Sequence, residues 1–311
     1  MRFSLLTECY QGADFLPALY ESLLAEHATG WRFEWILVDD CSNDGGRTVS
    51  LMERYAAIAP FPVKTVCLDK NHYGSLSVER GVKVAEGDYI ILLNQDDFLS
   101  PSALDVFDRL IDQYEEVSDF AGVCGRCVDL DGNLIGTPFR WQHALSNELE
   151  IRHVHKIRGE LFQCTKKELI AAYFRDLKPG YTNGHAWAKI ARRYRYAYTN
   201  DVVRIYNTVN PDSMSNQKTI KNVEVLSESY LYYVKNNVDY LRKDWRSYFI
   251  LLVHSLRFAM HSNRGLREVT SDMAADLRLA TIVAYPVAAY LARQDCKRGR
   301  IAHAASGSQP R

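Results

Sequence analysis

Asn94, Gln95, Asp96 and Asp97 follow the apolar run Ile90 to Leu93, so a buried strand delivers two carboxylates and two amides at its end. Hard divalent cations take oxygen ligands, and Mg²⁺ or Mn²⁺ is commonly held by one or two carboxylates completed by substrate phosphates. Asp96, with Asn94 two residues before it, supplies such a set. Asp96 and Asp97 could instead cap a helix starting near Ser100-Pro101, and spacing alone leaves both readings open. A second acidic pair, Asp39 and Asp40, ends EWILVDD and precedes Ser-Asn-Asp-Gly-Gly, which is turn and helix-start chemistry. A fixed carboxylate there can accept the imide N–H of a uracil, or satisfy the amides of its own turn.

Other residues carry weaker signals. Arg80 and Lys83 could meet phosphates or form a solvated helix face. His185 can act as a base, since an unperturbed imidazole titrates near ~6.5, or it can be a packed histidine. Glu160 and His155 are further base candidates. On a strand His153 and His155 would share a face, but two histidines without carboxylates at ligand spacing make a poor zinc site. Cys124-Gly-Arg-Cys127 resembles a redox or zinc pair, yet in the strand-like run FAGVCGRCVDL residues three apart point to opposite faces.

The elements that must position these groups alternate two periodicities. FSLLT (3–7), EWILVDD (34–40), VKTVCLD (63–69) and DYIILLN (88–94) read as strands. The segments 13–27, 45–59 and 74–87 between them carry helical spacing. This βαβαβαβ order predicts an α/β fold, a mainly parallel sheet with helices on both faces and right-handed crossovers. Ligands of such sheets bind beyond the carboxyl ends of the strands. Those ends carry Thr7, Glu8 and Tyr10, then Asp39 and Asp40, then Asp69 and Asn71, then Asn94 to Asp97. Farther on, 118–138 reads as a hairpin around Asp-Gly, 165–175 and 184–195 as helices, and 196–206 as a strand. After Asn210-Pro211 long helical runs replace this pattern, which divides the chain into 1–215, a helical 216–295 and a tail, 296–311, whose composition predicts disorder.

Bulk composition removes several function classes. Among 311 residues Lys plus Arg equals Asp plus Glu at 38 each, so no global field draws the chain to nucleic acid or an anionic membrane. Seven scattered cysteines argue against a disulfide framework. The start, MRFSLLTECYQG, has no secretory or transit pattern, which predicts a cytoplasmic protein. Dinucleotide and P-loop glycine signatures are absent. The apolar run 279–292 is shorter than the ~20 residues of a spanning helix and contains Pro286, so a buried or interfacial helix is expected. The C-terminal helices could cap an acceptor, form a homodimer interface, or touch the inner face of a membrane that carries a lipid-linked acceptor.

Several of these pieces, in this order, resemble family-two nucleotide-sugar glycosyltransferases of the GT-A fold, in particular the bacterial type that builds envelope polysaccharides. They are FSLLTECYQGADFLPALYESL, EWILVDDCSNDGG, Asn71-x-x-Gly74 with Ala85-x-Gly87-Asp88-Tyr89, LLNQDDFLSPSAL, HKIRGELF and AWAKIARRYRYAYTNDVVRIY. The resemblance spans roughly 3–216 and implies a nucleotide-sugar donor, a saccharide or lipid-linked saccharide acceptor and inverting transfer with Mg²⁺ or Mn²⁺. Thr7, Glu8, Tyr10, Asn71, Gly74, Arg80 and Gln95 would line the nucleotide pocket. Asp39 would read the base, with Asp40 beside it, and Asp96 would be the metal-contacting member of the Asp-x-Asp motif. The chain departs from the pattern at Asn94, the first Asp of that motif, and at Ser77-Val78-Glu79 in place of Ala-Arg-Asn. It departs again at Thr182-Asn183-Gly184 in place of Pro-Glu-Gly, so an amide, Asn183, holds the usual base position and His185 becomes the nearest base. These departures motivate the alternative of a catalytically silent nucleotide-sugar-binding or scaffold protein.

Overall fold

The computed structural model describes residues 1–72, 75–175, 177, 184–208, 223–271 and 273–299. The chain divides into two compact units, Met1–Val209 and Asn210–Arg311.

The first unit is built on one sheet. Its strands are β1 (Phe3–Cys9), β2 (Phe33–Asp39), β3 (Val63–Cys67), β4 (Tyr89–Leu92), β5 (Phe98–Leu99), β6 (Phe120–Val128), β7 (His143–Ser146), β8 (Leu161–Lys166) and β9 (Arg195–Ile205). They lie in the order β3-β2-β1-β4-β8-β6-β9-β5, with β7 also paired to β9. β1 is parallel to β2 and β4, β2 to β3, and β6 to β9, while β8 runs antiparallel between β4 and β6. Two reversals cancel, so β6 and β9 point the same way as β4. The carboxyl ends of six strands therefore share one edge, and β8 begins there.

Apolar runs such as FSLLTEC and FEWILVD are buried on both sides, as a helix-covered parallel sheet demands. One face packs Leu5, Trp35, Leu37 and Ile91 under α1 (Leu16–Ala28), α2 (Arg47–Ile58) and α4 (Ala103–Tyr114). The other packs Leu6, Ile36, Val38 and Ile90 under α3 (Ser75–Val84), α6 (Lys167–Phe174) and α7 (Gly184–Ala191), with the short α5 (Glu148–His153) beside them. Gly81 lets α3 approach closely: a Cβ there would collide with Leu6 and reach 3.1 Å from Val38.

The second unit has its own core, drawn from α8 (Val223–Asn236), α9 (Val238–Leu241), α10 (Trp245–His261), α11 (Leu266–Thr270) and α12 (Ala275–Lys297). The last helix continues past 295 to Lys297, so Cys296 and Lys297 are helical rather than part of a tail. Residues 300–311 lie outside the described residues.

Three expectations change. The 118–138 hairpin forms its turn, with Asp129 accepting from the amides of Asp131 and Asn133 and Gly132 at φ 83°. Its return arm is a single bridge, Val128 to Leu134, because Gly136 is drawn into close backbone packing against Gly159 instead. His153 and His155 share no strand face, since His153 ends α5 and His155 follows it exposed. Of the buried and interfacial alternatives for 279–292, the buried one does not hold: α12 is 23 residues long and apolar enough to cross a membrane, yet only 28% of its most apolar window is buried. Cys124 and Cys127 do fall in the cores on opposite sides of the sheet. Burial pushes the Cys127 thiol up to about 12 and that of Cys124 well above the ordinary range.

Glu34, fully buried at the start of β2, holds the far edge of the sheet together. Its carboxylate accepts from Ser4 Oγ at 2.6 Å and from the amides of Glu86 and Gly87, and pairs with Lys64 at 2.8 Å. Burial alone would push this carboxyl up, but Lys64, Ser4 and the two amides together hold it below the ordinary carboxylate range. Removing one partner of a buried, bonded charge typically costs about 3–5 kcal/mol. Glu34→Ala is therefore expected to lower the unfolding free energy by about that amount, read by urea denaturation; a loss within error of zero would contradict this role.

Candidate active site at the carboxyl edge of the sheet

The β4 end is fixed by a buried ion pair that joins it to β9. Asp97 is wholly buried and accepts from Arg204 Nη2 at 2.6 Å, from the Asn207 amide at 2.9 Å and from Asn94 Nδ2 at 2.8 Å. Arg204 is sandwiched in turn, its guanidinium 5.1 Å from the Phe162 ring and 4.4 Å from that of Tyr206. Burial pushes the Asp97 carboxyl upward, opposed by the Arg204 charge and the Asn207 amide. Asp97 therefore caps no helix; α4 starts after Ser102, which makes no side-chain capping bond. With Asp97 turned inward, Asp96 stands half-buried at the edge.

This geometry explains Asn94. A carboxylate at position 94 would lie against that of Asp97, and like charges at hydrogen-bond distance repel. The amide instead donates to Asp97, leaving its oxygen as the atom that could face a cation.

Gln95 clasps the neighbouring strand end: the Tyr10 amide donates to its Oε1 at 3.1 Å, and its Nε2 donates to the Tyr10 carbonyl at 3.1 Å. A Cβ at Gly12 would push Gln95 Oε1 out of this clasp. The Tyr10 ring is exposed. Gln11, at φ 51°, links to the next loop, its amide donating to Ser42 Oγ at 2.8 Å and its side chain to Asn43. Ser42 closes the chain on Asp39, donating its amide to Oδ2 at 3.0 Å and its hydroxyl to Oδ1 at 2.5 Å. Asp39 is nearly buried and satisfied as a turn aspartate, yet a carboxylate offers about four acceptor sites, so room for a base N–H persists. Asp40 accepts from the His72 amide at 2.7 Å, next to Asn71. Thr7, buried, accepts from Trp35 Nε1 at 2.9 Å and thus supports the pocket from within.

Glu8 lies on the α3 side of the sheet, paired in register with Val38 and followed around the edge by Asp40. Its Oε1 is sealed from solvent without a hydrogen-bond partner among the described residues. Burial, reinforced by the Asp40 charge, raises the carboxyl to about 8. At neutral pH Glu8 is then an uncharged acid, which a diphosphate can approach without repulsion.

Arg80 and His185 come from helices α3 and α7 rather than from these strand ends. Arg80 is exposed on α3 beside Gly81, which packs on Leu6 and on Val38 near the end of β2. Gly74 and Asn183 lie outside the described residues. His185 opens α7 with its ring buried, and burial with nearby Lys189 lowers its pKa to about 4. It is neutral at pH 7 but a weak base. Glu160, exposed immediately before β8, does sit at the edge.

Among the described residues no three His, Cys, Asp or Glu side chains form a metal cluster. A site of one carboxylate and one amide oxygen completed by substrate phosphates would contain none, so Asp96 and Asn94 fit a Mg²⁺ or Mn²⁺ that arrives with its substrate.

The model of glycosyl transferase family 2 matches residues 4–162. The poly(ribitol-phosphate) beta-N-acetylglucosaminyltransferase TarS of Staphylococcus aureus is 27% identical over 132 residues, covering 41% of this chain and 22% of its own length. The teichuronic acid biosynthesis glycosyltransferase TuaG of Bacillus subtilis, a putative assignment by its name, is 30% identical over 94 residues, 30% of this chain and 35% of its own. This chain thus spans about a third or less of those relatives. The crystal structure of S. aureus TarS 1-349 with UDP-GlcNAc superposes with a TM-score of 0.62 at 15% identity, covering 96% of this chain and 93% of that one. The mannosyltransferase PcManGT of Pyrobaculum calidifontis with GDP-Man and Mn²⁺ gives 0.54 at 15% identity, covering 94% and 86%. These likenesses establish the GT-A fold.

Glu8 yields a prediction whose sign follows from its two states. The folded protein holds a proton up to about pH 8 that the unfolded chain releases near 4.5, so stability declines as pH rises through that window. The slope from this group approaches about 1.4 kcal/mol per pH unit. Glu8→Gln is expected to flatten the decline and to be more stable than wild type at its alkaline end, read by denaturation at a series of pH values. Parallel profiles for the two proteins would mean that Glu8 is ionised in the fold.

Proposed function

The chain belongs to glycosyl transferase family 2, and from that premise we propose that it moves a sugar from a UDP-linked donor to a hydroxyl of a saccharide or lipid-linked saccharide, with inversion at the anomeric carbon. The observation that carries this reading is the edge itself: Asp97 is locked inward by Arg204, so Asp96 is presented beside the Gln95 clasp and across from Asp39 and Asp40.

In this reading Asp39 accepts the uracil imide N–H, Tyr10 and Asn71 bound the nucleoside, and buried Thr7 supports the pocket from within. Neutral Glu8 and the Gln95 clasp shape the pocket floor without adding negative charge near the diphosphate. Asp96, with the Asn94 oxygen, would hold Mg²⁺ or Mn²⁺, whose chemistry when bound is to neutralise charge on the leaving nucleoside diphosphate. The acceptor's proton passes to a base at the same edge. His185 is neutral but a weak base, and Glu160, exposed immediately before β8, is the second group placed to take the proton. The acceptor belongs to a bacterial envelope glycan, the class named for TarS and TuaG.

Weak basicity at His185 also supports a second reading, a donor-binding scaffold without turnover. One assay separates them. Wild type incubated with UDP-sugars, manganese and a panel of glycan acceptors should release UDP in an acceptor-dependent way, with product of inverted configuration by NMR. Asp96→Ala should keep its fold by circular dichroism and lose turnover by on the order of a hundredfold or more, as removal of a main electrostatic support does. Undiminished turnover in Asp96→Ala would remove the metal assignment, and UDP binding without any product would favour the scaffold.

A further inference from the structure

Helix α12 turns its small side chains inward and its large apolar ones outward. Leu277, Thr281, Ala284, Ala288 and Ala292 form the buried side. Leu279, Ile282, Val283, Val287 and Tyr290 are exposed by 64, 56, 61, 42 and 61%. Their spacing of three, one, four and three residues puts them on one stripe of the helix. A soluble surface rarely gathers such a patch unless something covers it.

The charges around the stripe identify the cover. From 279 to 292 the helix carries no charged residue, while exposed Arg278 stands before it and exposed Arg293, Lys297 and Arg298 follow. The described acids on the helix are already used: Asp276 pairs with Arg242, and buried Asp295 pairs with Arg257 at 2.5 Å and His261 at 3.1 Å. Residues 210–311 contain 15 Lys and Arg against 9 Asp and Glu, so the chain's zero net charge conceals a basic second unit. An apolar stripe bracketed by cations matches acyl chains flanked by phosphate headgroups.

We infer that α12 docks the second unit on an anionic phospholipid surface, with Leu279, Ile282, Val283, Val287 and Tyr290 in the acyl boundary and Arg278, Arg293, Lys297 and Arg298 at the headgroups. The helix lies in the interface and does not cross it. The stripe from Leu279 to Tyr290 is about 17 Å long at 1.5 Å per residue, against a hydrocarbon core of about 30 Å, and the opposite side of the helix is committed to the core of its own unit. A second copy of the chain fits less well. Parallel two-fold pairing along the stripe sets Arg278 against Arg278 and Arg293 against Arg293. Antiparallel pairing brings Arg278 to the end that carries Arg293 and Lys297, and among the described residues the exposed acid of the helix, Asp276, is held by Arg242.

The inference does not depend on the transferase reading, and a binding assay without substrates tests it. Full-length protein is floated with vesicles of phosphatidylcholine, with and without phosphatidylglycerol, and its self-association is measured by analytical ultracentrifugation. Wild type is expected to float with the phosphatidylglycerol vesicles and to be partly released by high salt. Ile282→Glu with Val283→Glu, both on exposed positions and checked for an unchanged thermal transition, should lose flotation. Arg293→Glu should weaken it about tenfold on anionic vesicles only. The proposal is overturned if wild type floats with neither vesicle, if the double variant floats as well as wild type, or if the stripe mediates a dimer that the double variant breaks while vesicles bind neither protein.

Discussion

One buried charge pair, Asp97 with Arg204, sets the geometry on which the candidate site depends. The residues are 107 positions apart, and their contact ties the end of β4 to β9 across two intervening strands. Taking both groups out of water is expensive, and the cost is offset only where the remaining hydrogen-bond capacity is filled. Here the Asn207 amide and the Asn94 side chain fill the carboxylate, while two aromatic rings face a guanidinium whose buried Nε finds no hydrogen-bond partner among the described residues. The two adjacent aspartates thereby separate into a structural one and a presented one.

The same arrangement limits charge at the edge. Asp39, Asp40, Asp96 and Glu8 all stand at the carboxyl edge, where in the proposed function a diphosphate binds, and each added negative charge would weaken anion binding. The protein answers with an amide at position 94, with serine and backbone donors around Asp39 and Asp40, and with a burial that keeps Glu8 protonated. The departure from the family pattern at Asn94 and the protonated Glu8 thus read as parts of one electrostatic solution.

Much of this was legible in the sequence because it is local. Alternating strand and helix periodicity located the parallel half of the sheet, and the rule that ligands meet the carboxyl ends picked out Asp39, Asp40 and Asp96. The Ser-Asn-Asp-Gly-Gly turn announced itself through its residue types. What stayed hidden is non-local. Nothing near Asp97 signals Arg204, and nothing near Tyr10 signals that Gln95 will bond its backbone on both sides. The Asp-Gly turn at 131–132 looked like a hairpin because its turn chemistry is real, while the lost return arm is decided by Gly136 meeting Gly159. In α12, composition showed an apolar helix but not its orientation, since alanine and the larger apolar residues satisfy the same periodicity and only packing decides which side faces the core.

The central claim is that a nucleotide-sugar binds at the carboxyl edge between Asp39 and Asp96. The direct measurement is a crystal structure of the protein soaked with UDP and Mn²⁺, with an anomalous difference map for the metal. The account predicts a manganese peak coordinated by Asp96 and by the diphosphate, and a uracil whose imide N–H meets Asp39. Ordered UDP elsewhere on the molecule, or a uracil at this edge with no contact to Asp39 and a metal away from Asp96, would contradict it.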